Sequence, residues 1–299
     1  MDRVSLIYNP TAGGLQRDPS KIESLIAALH KAGIAISSYA TTCAGHAMEL
    51  ARQAVEKGAE VVIVCGGDGT INEVAQSLVK TDTSLAVWPC GTANVLAQEL
   101  RLTSDPYHLV KMIEAGRSRL ISVGRAFKTD RQWQRYFLLM AGIGLDASIV
   151  HGVDLNWKRH AGIGAYIASG LGFLAKMPLS PFSIDLNGQT FESTFAVVAN
   201  AAHYAVGFSL APGARVDDDK LDVCSFNSRS RLAYLGYALL SLTGSHTRRS
   251  GVVYQETCCV IANSNHSTLV QLDGDLAGNL PMQFEIVPQS LKIIASSTK

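Results

Sequence analysis

Short apolar runs alternate with amphipathic stretches through the first 125 residues or so. The run 4–8, with Val4, Leu6 and Ile7, reads as a buried strand. The stretch 20–31 then sets Ile22, Leu25, Ile26 and Leu29 on one helical face, with Gly33 as the stop. A strand over 34–39 and a helix over 45–57 follow, the helix aligning Met48, Ala51 and Val55 and ending at Gly58. The run 61–65 is the most apolar strand of all, and the next helix is predicted over 71–79. A strand over 85–88, a helix over 93–100 and a helix opened by Pro106 and stopped by Gly116 complete the set. Such alternation implies an open parallel sheet covered on both faces, a Rossmann-like α/β domain.

Beyond Val123 the rhythm changes. Short β-like runs lie at 136–140, 182–186, 192–199, 221–226, 252–262, 268–272, 283–287 and 291–295. Asn187 and Gly188 form a two-residue hairpin signal between the second and third of these. Helical stretches at 164–176 and 230–242 interrupt the run of strands. The pattern predicts a mostly antiparallel, β-sandwich-like second domain. The expected division is 1–125 and 126–299, with the last residues returning to the first domain and 296–299 frayed. No internal repeat and no low-complexity tract appears.

Length agrees with two domains, since 299 residues stand against about 150 per domain. With 47% hydrophobic and 17% charged residues, disorder is excluded for most of the chain. Twenty-six basic against 25 acidic residues leave a net charge of +1, which argues against a nucleic-acid binder. Six cysteines lack zinc-site spacing and read as free thiols in a reducing cytoplasm. The first residues enter a strand directly, with no secretory head, and no apolar run approaches the length of a spanning helix. The expectation is a soluble cytoplasmic protein that at most touches a membrane from outside.

The sharpest chemical feature is the octet from Gly66 to Glu73, between the most apolar strand and a helix. Its three glycines permit a tight turn and close approach to a ligand, and the free N–H groups of the helix start favour phosphate. At the carboxyl end of a strand it falls where open α/β sheets bind ligands. Asp68 suits a magnesium ion or an orienting role better than a bare phosphate. The plainer alternative is a glycine-rich turn with Asp68 as a helix cap, and the whole octet favours function over it. A second strand-to-helix loop, 89–94, offers Thr92 and Asn94, which serve equally well as N-caps. Neither loop is a Walker A motif, and HRD and DFG are absent. Taken alone, the acidic run 217–219 reads as a solvated turn and Asp273 with Gly274 as a hairpin turn. His46, His160, His203 and His246 are scattered and suit surface or hydrogen-bonded roles. The basic residues at 158–160 and the pair Arg248 and Arg249 could touch anionic lipid headgroups, although such pairs are common on any surface.

The octet, the loop 91–94 and the opening run 9–13 together resemble the diacylglycerol kinase catalytic family of bacterial lipid kinases. That family is related to sphingosine and ceramide kinases and more distantly to NAD kinases and phosphofructokinases. The resemblance covers essentially the whole chain. It includes the run 211–214 followed by 217–222, and 272–275 before Leu280 and Pro281. It implies that Asn9 and Thr41 approach ATP, that Gly66, Gly67, Asp68, Gly69, Thr70 and Asn72 wrap its phosphates, and that Thr92 helps. It further implies a magnesium ion at Asp218 with help from Arg215 and Lys220, and a general base at Asp275 with Asp273 beside it. Three positions depart from the family pattern. Asp219 replaces a glycine and adds charge, Asp275 replaces a glutamate one methylene longer, and Val95 replaces an acid absent also from sphingoid and ceramide kinases.

The implied protein is an ATP- and Mg2+-dependent lipid kinase acting on a diacylglycerol-like hydroxyl that enters an interdomain cleft. Its acceptor is drawn from a membrane surface, so the enzyme is expected in the cytoplasm, peripheral to the inner membrane face, with dimerisation left open. The rivals are a sphingoid- or ceramide-type kinase, an NAD-kinase-like enzyme and a non-catalytic nucleotide-binding regulator.

Overall fold

The computed structural model describes residues 4–144, 179–203 and 209–295. The helix expected at 164–176, the basic run 158–160 and the tail 296–299 lie outside them. Along the chain, β1 (Val4–Tyr8), α1 (Gly13–Arg17), α2 (Ser20–Lys31), β2 (Ile36–Ala40), α3 (His46–Glu56), β3 (Val61–Gly66) and α4 (Asp68–Leu78) come first. They are followed by β4 (Ser84–Pro89), α5 (Val95–Glu99), α6 (Pro106–Glu114) and β5 (Ser118–Phe127). Next are β6 (Gln134–Phe137), β7 (Met140–Gly144), β8 (Phe182–Leu186), β9 (Gln189–Ser193), β10 (Phe195–Ala199), β11 (Leu221–Phe226) and α7 (Arg231–Ser241). A 3-10 turn, Ser245–Arg248, precedes β12 (Val252–Thr257), β13 (Cys259–Asn263), β14 (Leu269–Leu272), β15 (Asp275–Asn279) and β16 (Met282–Ile294).

Two compact units result. One comprises Met1–Val123, Val216–Asp219 and Val287–Lys299; the other comprises Gly124–Arg215 and Lys220–Ile286. In the first, β2, β1, β3, β4 and the end of β16 lie side by side, and every pair is parallel. Helices cover this sheet, so β3 is buried almost throughout and needs no polar alternation. Leu6, Ile63, Cys65 and Trp88 pack with Leu25 and Leu29 of α2 in its core. The register aligns Tyr8 with Cys65 and Gly66 with Pro89, so the carboxyl ends of β1, β3 and β4 share one edge.

The second unit is built from antiparallel pairs. A six-stranded sheet runs β12-β11-β10-β7-β14-β15, and β13 pairs with β8 and with the start of β16 while β9 extends β8. Ile143, Val198 and Val223 from the first sheet meet Ile184, Val260 and Phe284 from the second in one core. This is the β-sandwich-like arrangement, α/β in the first unit and antiparallel in the second.

The boundaries differ from the apolar pattern at places with a common cause. The run 192–199 breaks at Thr194 and the run 252–262 at Cys258. At both points the chain leaves one sheet for the other, while the residues on either side still read as one unbroken run of strand formers, so the pattern alone does not mark the corner. The run 136–140 likewise divides between β6 and β7. Conversely 283–287 and 291–295 join into β16 across the exposed Pro288 and Gln289. The strand β5 and the short α1 have no counterpart in the predicted set. The hairpin at Asn187 and Gly188 has φ of 53° and 80°, the two left-handed residues of a type I′ turn.

Candidate active site

The helix α4 begins at Asp68, three residues before the expected start. Asp68, Gly69 and Thr70 therefore belong to its first turn, whose N–H groups have no acceptor within the helix and present a partial positive charge. No side chain caps this helix. The cap alternative for Asp68 is replaced by another contact: its Oδ1 accepts from the Leu96 N–H of α5 at 3.2 Å, joining the two loop-to-helix junctions.

Those junctions are pressed backbone against backbone. A Cβ at Gly91 would fall 2.4 Å from the Gly67 Cα, and one at Gly66 would fall 2.6 Å from the Thr70 Cβ. Only glycine fits at either place. Asn94, in the left-handed region at the start of α5, does not cap with its side chain. Its amide instead closes the loop on Gly91, accepting from the Gly91 N–H and donating to the Gly91 carbonyl, each at 2.9 Å. Thr92 stays exposed beside Gly13, whose Cβ would lie 3.2 Å from Thr92 Oγ1. Gly69 is the contrast, because a Cβ there would meet nothing within 4 Å.

The end of β1 joins the same edge. The Asn9 N–H donates to the Cys65 carbonyl at 2.9 Å, and its Nδ2 donates to Thr70 Oγ1 at 3.4 Å. The Thr41 N–H donates to the Tyr8 carbonyl at 2.9 Å, which sets Thr41 one strand further along. Beyond it, Glu73 of α4 accepts from the N–H groups of Gly45 and Ala47 at 2.9 and 3.1 Å and so caps α3. Asn72 is only 2% exposed, and its side-chain carbonyl accepts from Gln76 Nε2 at 2.9 Å. Burial pushes the Cys65 thiol up, and that of Cys90 up to about 11, so both stay neutral beneath the loops.

In the acidic run, Asp217 pairs with Arg119 at 3.4 Å and Asp219 accepts from Ser122 Oγ at 3.0 Å. Lys220 pairs with Glu256. No group of three His, Cys, Asp or Glu among the described residues could hold a metal ion. A guanidinium and an ammonium have no lone pair for a cation, so Arg215 and Lys220 could serve magnesium only through main-chain carbonyls, with Asp218 supplying the carboxylate. The side chains do not make a preformed magnesium site. In the second unit, Asp222 is 1% exposed and accepts from the Tyr254 hydroxyl, which in turn accepts from the Gly213 N–H at 2.9 Å. Burial, with the Asp222 carboxyl next to it, pushes that phenol well above its ordinary range.

The two acids of the hairpin between β14 and β15 have different surroundings. Asp273 takes a left-handed φ of 50° and accepts from the N–H groups of Leu138, Leu139 and Met140 at 2.7, 2.9 and 2.9 Å. Its lone pairs are taken up in shaping the turn. Asp275 is half exposed, and Arg135 donates to its Oδ2 at 2.7 Å. Arg135, Glu73 and Asn94 are the participants that sequence reasoning missed or left as a plain cap.

A parallel-sheet unit with glycine loops at its strand ends and an antiparallel sandwich unit make up the chain. Within it, residues 3–126 match the diacylglycerol kinase catalytic domain and residues 140–295 match the YegS C-terminal NAD kinase beta sandwich-like domain. The chain belongs to the diacylglycerol kinase catalytic family. It is 27% identical to the diacylglycerol kinase of Bacillus subtilis over 100% of this chain and 98% of that one. It is 28% identical to the diacylglycerol kinase of Staphylococcus carnosus over 97% and 94%. A crystal structure of a diacylglycerol kinase from Bacillus anthracis superposes with a TM-score of 0.75 at 21% identity, over 99% of this chain and 97% of that one. Another solved Bacillus anthracis chain superposes at 0.80 with 23% identity, over 99% and 96%. Among the described residues no helix is long and apolar enough to cross a membrane.

Proposed function

We propose that the protein is an ATP-dependent lipid kinase that phosphorylates the hydroxyl of a diacylglycerol-like acceptor. The observation that carries the nucleotide half is the apposition of the loops at Gly66–Gly67 and Gly91, beside a Gly69 that the fold itself does not require. A backbone packed this tightly, with free N–H groups in the first turn of α4, suits a polyphosphate. The acceptor half is supported by the names of the relatives, matched over nearly the full length of both chains.

ATP supplies the γ-phosphoryl group, which transfers to the acceptor oxygen as its bond to ADP breaks. The N–H groups of Gly69 and Thr70 bind the phosphates, and Thr92 lies at the neighbouring loop. Asn9 orients the Thr70 hydroxyl, Asp68 fixes α4 against α5, and Glu73 holds the turn that follows Thr41. Asp275 takes the proton of the acceptor hydroxyl, with Arg135 holding its Oδ2 in place. Asp273 does not compete, because three N–H donors occupy it. Phosphoryl transfer is mainly positioning and charge neutralisation, and these residues supply the positioning. Magnesium would enter with the nucleotide phosphates and Asp218.

The test is transfer of labelled phosphate from ATP to extracted total lipids, followed by identification of the product. Labelled phosphatidic acid is the expected result. A labelled sphingoid or ceramide phosphate would change the acceptor, labelled NADP would move the enzyme to the NAD kinases, and ATP binding without transfer would make it a regulator.

A further inference from the structure

We propose that the outward leucine face of α7, together with the arginines flanking it, docks the enzyme on an anionic bilayer. The helix has two apolar sides. One packs into the core: Tyr234 is buried against Phe195 and Phe226, and the Tyr237 ring centroid lies 5.2 Å from that of Phe226. The other faces water. Leu232 is 77% exposed, Leu239 70% and Leu242 55%. Their spacing of seven and then three residues keeps them on one stripe. Leu232 and Leu239 are the most exposed large hydrophobic residues among those described.

The charge along this segment of the chain has one sign. From Asp222 to Glu256 the chain contains no intervening acid, yet it carries Arg229, Arg231, Arg248 and Arg249. That segment is +4 in a protein whose total is +1. Two arginines precede the leucines and two follow them, and all four are exposed. The second pair is held close by His246, which is buried, stacks on Phe226 at 6.1 Å and bonds the Leu210 carbonyl through Nε2 at 3.0 Å.

An apolar stripe flanked by arginines, in a segment that carries no acid of its own, suits an interfacial helix, whose leucines enter the headgroup–acyl boundary while cations such as Arg248 and Arg249 meet anionic lipid. It suits a second copy of this chain poorly, because a two-fold contact would set like charges against each other. Leu242 also lines a groove of about 320 Å³ with His203, Ser209 and Pro212, which gives the outer end of the stripe a concave neighbour. The docking surface rests on the lipid-kinase reading for its purpose, since a kinase of bilayer lipids must meet its acceptor there.

The experiment is co-sedimentation of the full chain, without ATP, with vesicles of phosphatidylglycerol and phosphatidylcholine in equal parts and with pure phosphatidylcholine. The wild type should bind the anionic vesicles and release with salt. Leu232→Ser with Leu239→Ser should lower the partition coefficient at least about tenfold. Arg248→Ser with Arg249→Ser should lower it about fivefold per arginine on anionic vesicles only. Both variants should melt as the wild type does, since these side chains are exposed. Wild-type binding by both variants would overturn the surface, as would a leucine variant that converts a dimer to a monomer while keeping its vesicle affinity. A wild type that phosphorylates detergent-dispersed short-chain diacylglycerol but ignores vesicles refutes the surface and leaves the kinase standing. A wild type that binds vesicles through these residues but labels no lipid keeps the surface and refutes the proposed activity.

Discussion

The two units carry their chemistry in different ways. In the first, the candidate site is mostly backbone: Gly66, Gly67 and Gly91 pack main chain on main chain, and the helix start offers N–H groups. In the second, it is side chains joined across long stretches of sequence, Asp275 to Arg135 and Asp222 to Tyr254. Backbone sites tolerate no added atoms but need little charge balance. Side-chain sites tolerate change in volume but depend on each partner. Substitutions should therefore fail in different ways, through stability and ligand affinity in the first unit, and through turn geometry or proton transfer in the second.

The largest effect on folding should come from the second unit. Asp273→Ala strips the acceptor from three N–H groups, and at about 1–3 kcal/mol per unmet donor it should cost several kcal/mol. A denaturant midpoint unchanged by this substitution would remove Asp273 from its role in the turn. Gly91→Ala comes next, since its Cβ would stand 2.4 Å from the Gly67 Cα. Overpacking of this kind costs about 1–3 kcal/mol, read as a lower melting temperature together with weaker ATP binding. Gly69→Ala sharpens the contrast within the same loop. It should leave stability within about 0.5 kcal/mol of the wild type while weakening ATP roughly tenfold, because its Cβ enters space that only a ligand would fill. If Gly69→Ala unfolds the protein instead, its glycine serves the fold rather than the nucleotide. Glu73→Gln keeps the shape and removes the charge of the cap on α3, so it should weaken the fold without touching the phosphate loop. About 0.5–2 kcal/mol is expected, measured by chemical denaturation.

The same contrast explains what is legible in the sequence. The alternation of strands and helices in the first unit is readable because each element buries a periodic face, and the octet is readable because its residues are contiguous. The start of α4 lies three residues ahead of the periodic pattern because glycine and aspartate are poor helix formers that here occupy a first turn. In the second unit, most strands are visible as apolar runs, but their breaks at Thr194 and Cys258 are not. The residues before and after each corner read as one continuous run, although the chain changes sheets between them. Arg135 sits 140 residues from Asp275, and nothing local marks it. Glu73 lies inside the octet, yet its partners at Gly45 and Ala47 are set by packing of α3 against α4. The leucines of α7 fall within a predicted helix, but periodicity alone does not tell which apolar face looks outward.

We propose that phosphoryl transfer by this chain ends with a proton on Asp275, and this is read most directly from kcat for Asp275→Asn beside Asp275→Glu and Asp273→Asn, with ATP binding followed in parallel. Asp275→Asn should lose roughly 10²–10⁴-fold in kcat, the range of a general base, with ATP affinity close to that of the wild type. Asp275→Glu restores the family's usual acid and should keep much of the activity. Asp273→Asn should lose stability ahead of turnover. Full activity in Asp275→Asn alongside a folded but inactive Asp273→Asn would contradict the account and move the base two residues along the hairpin.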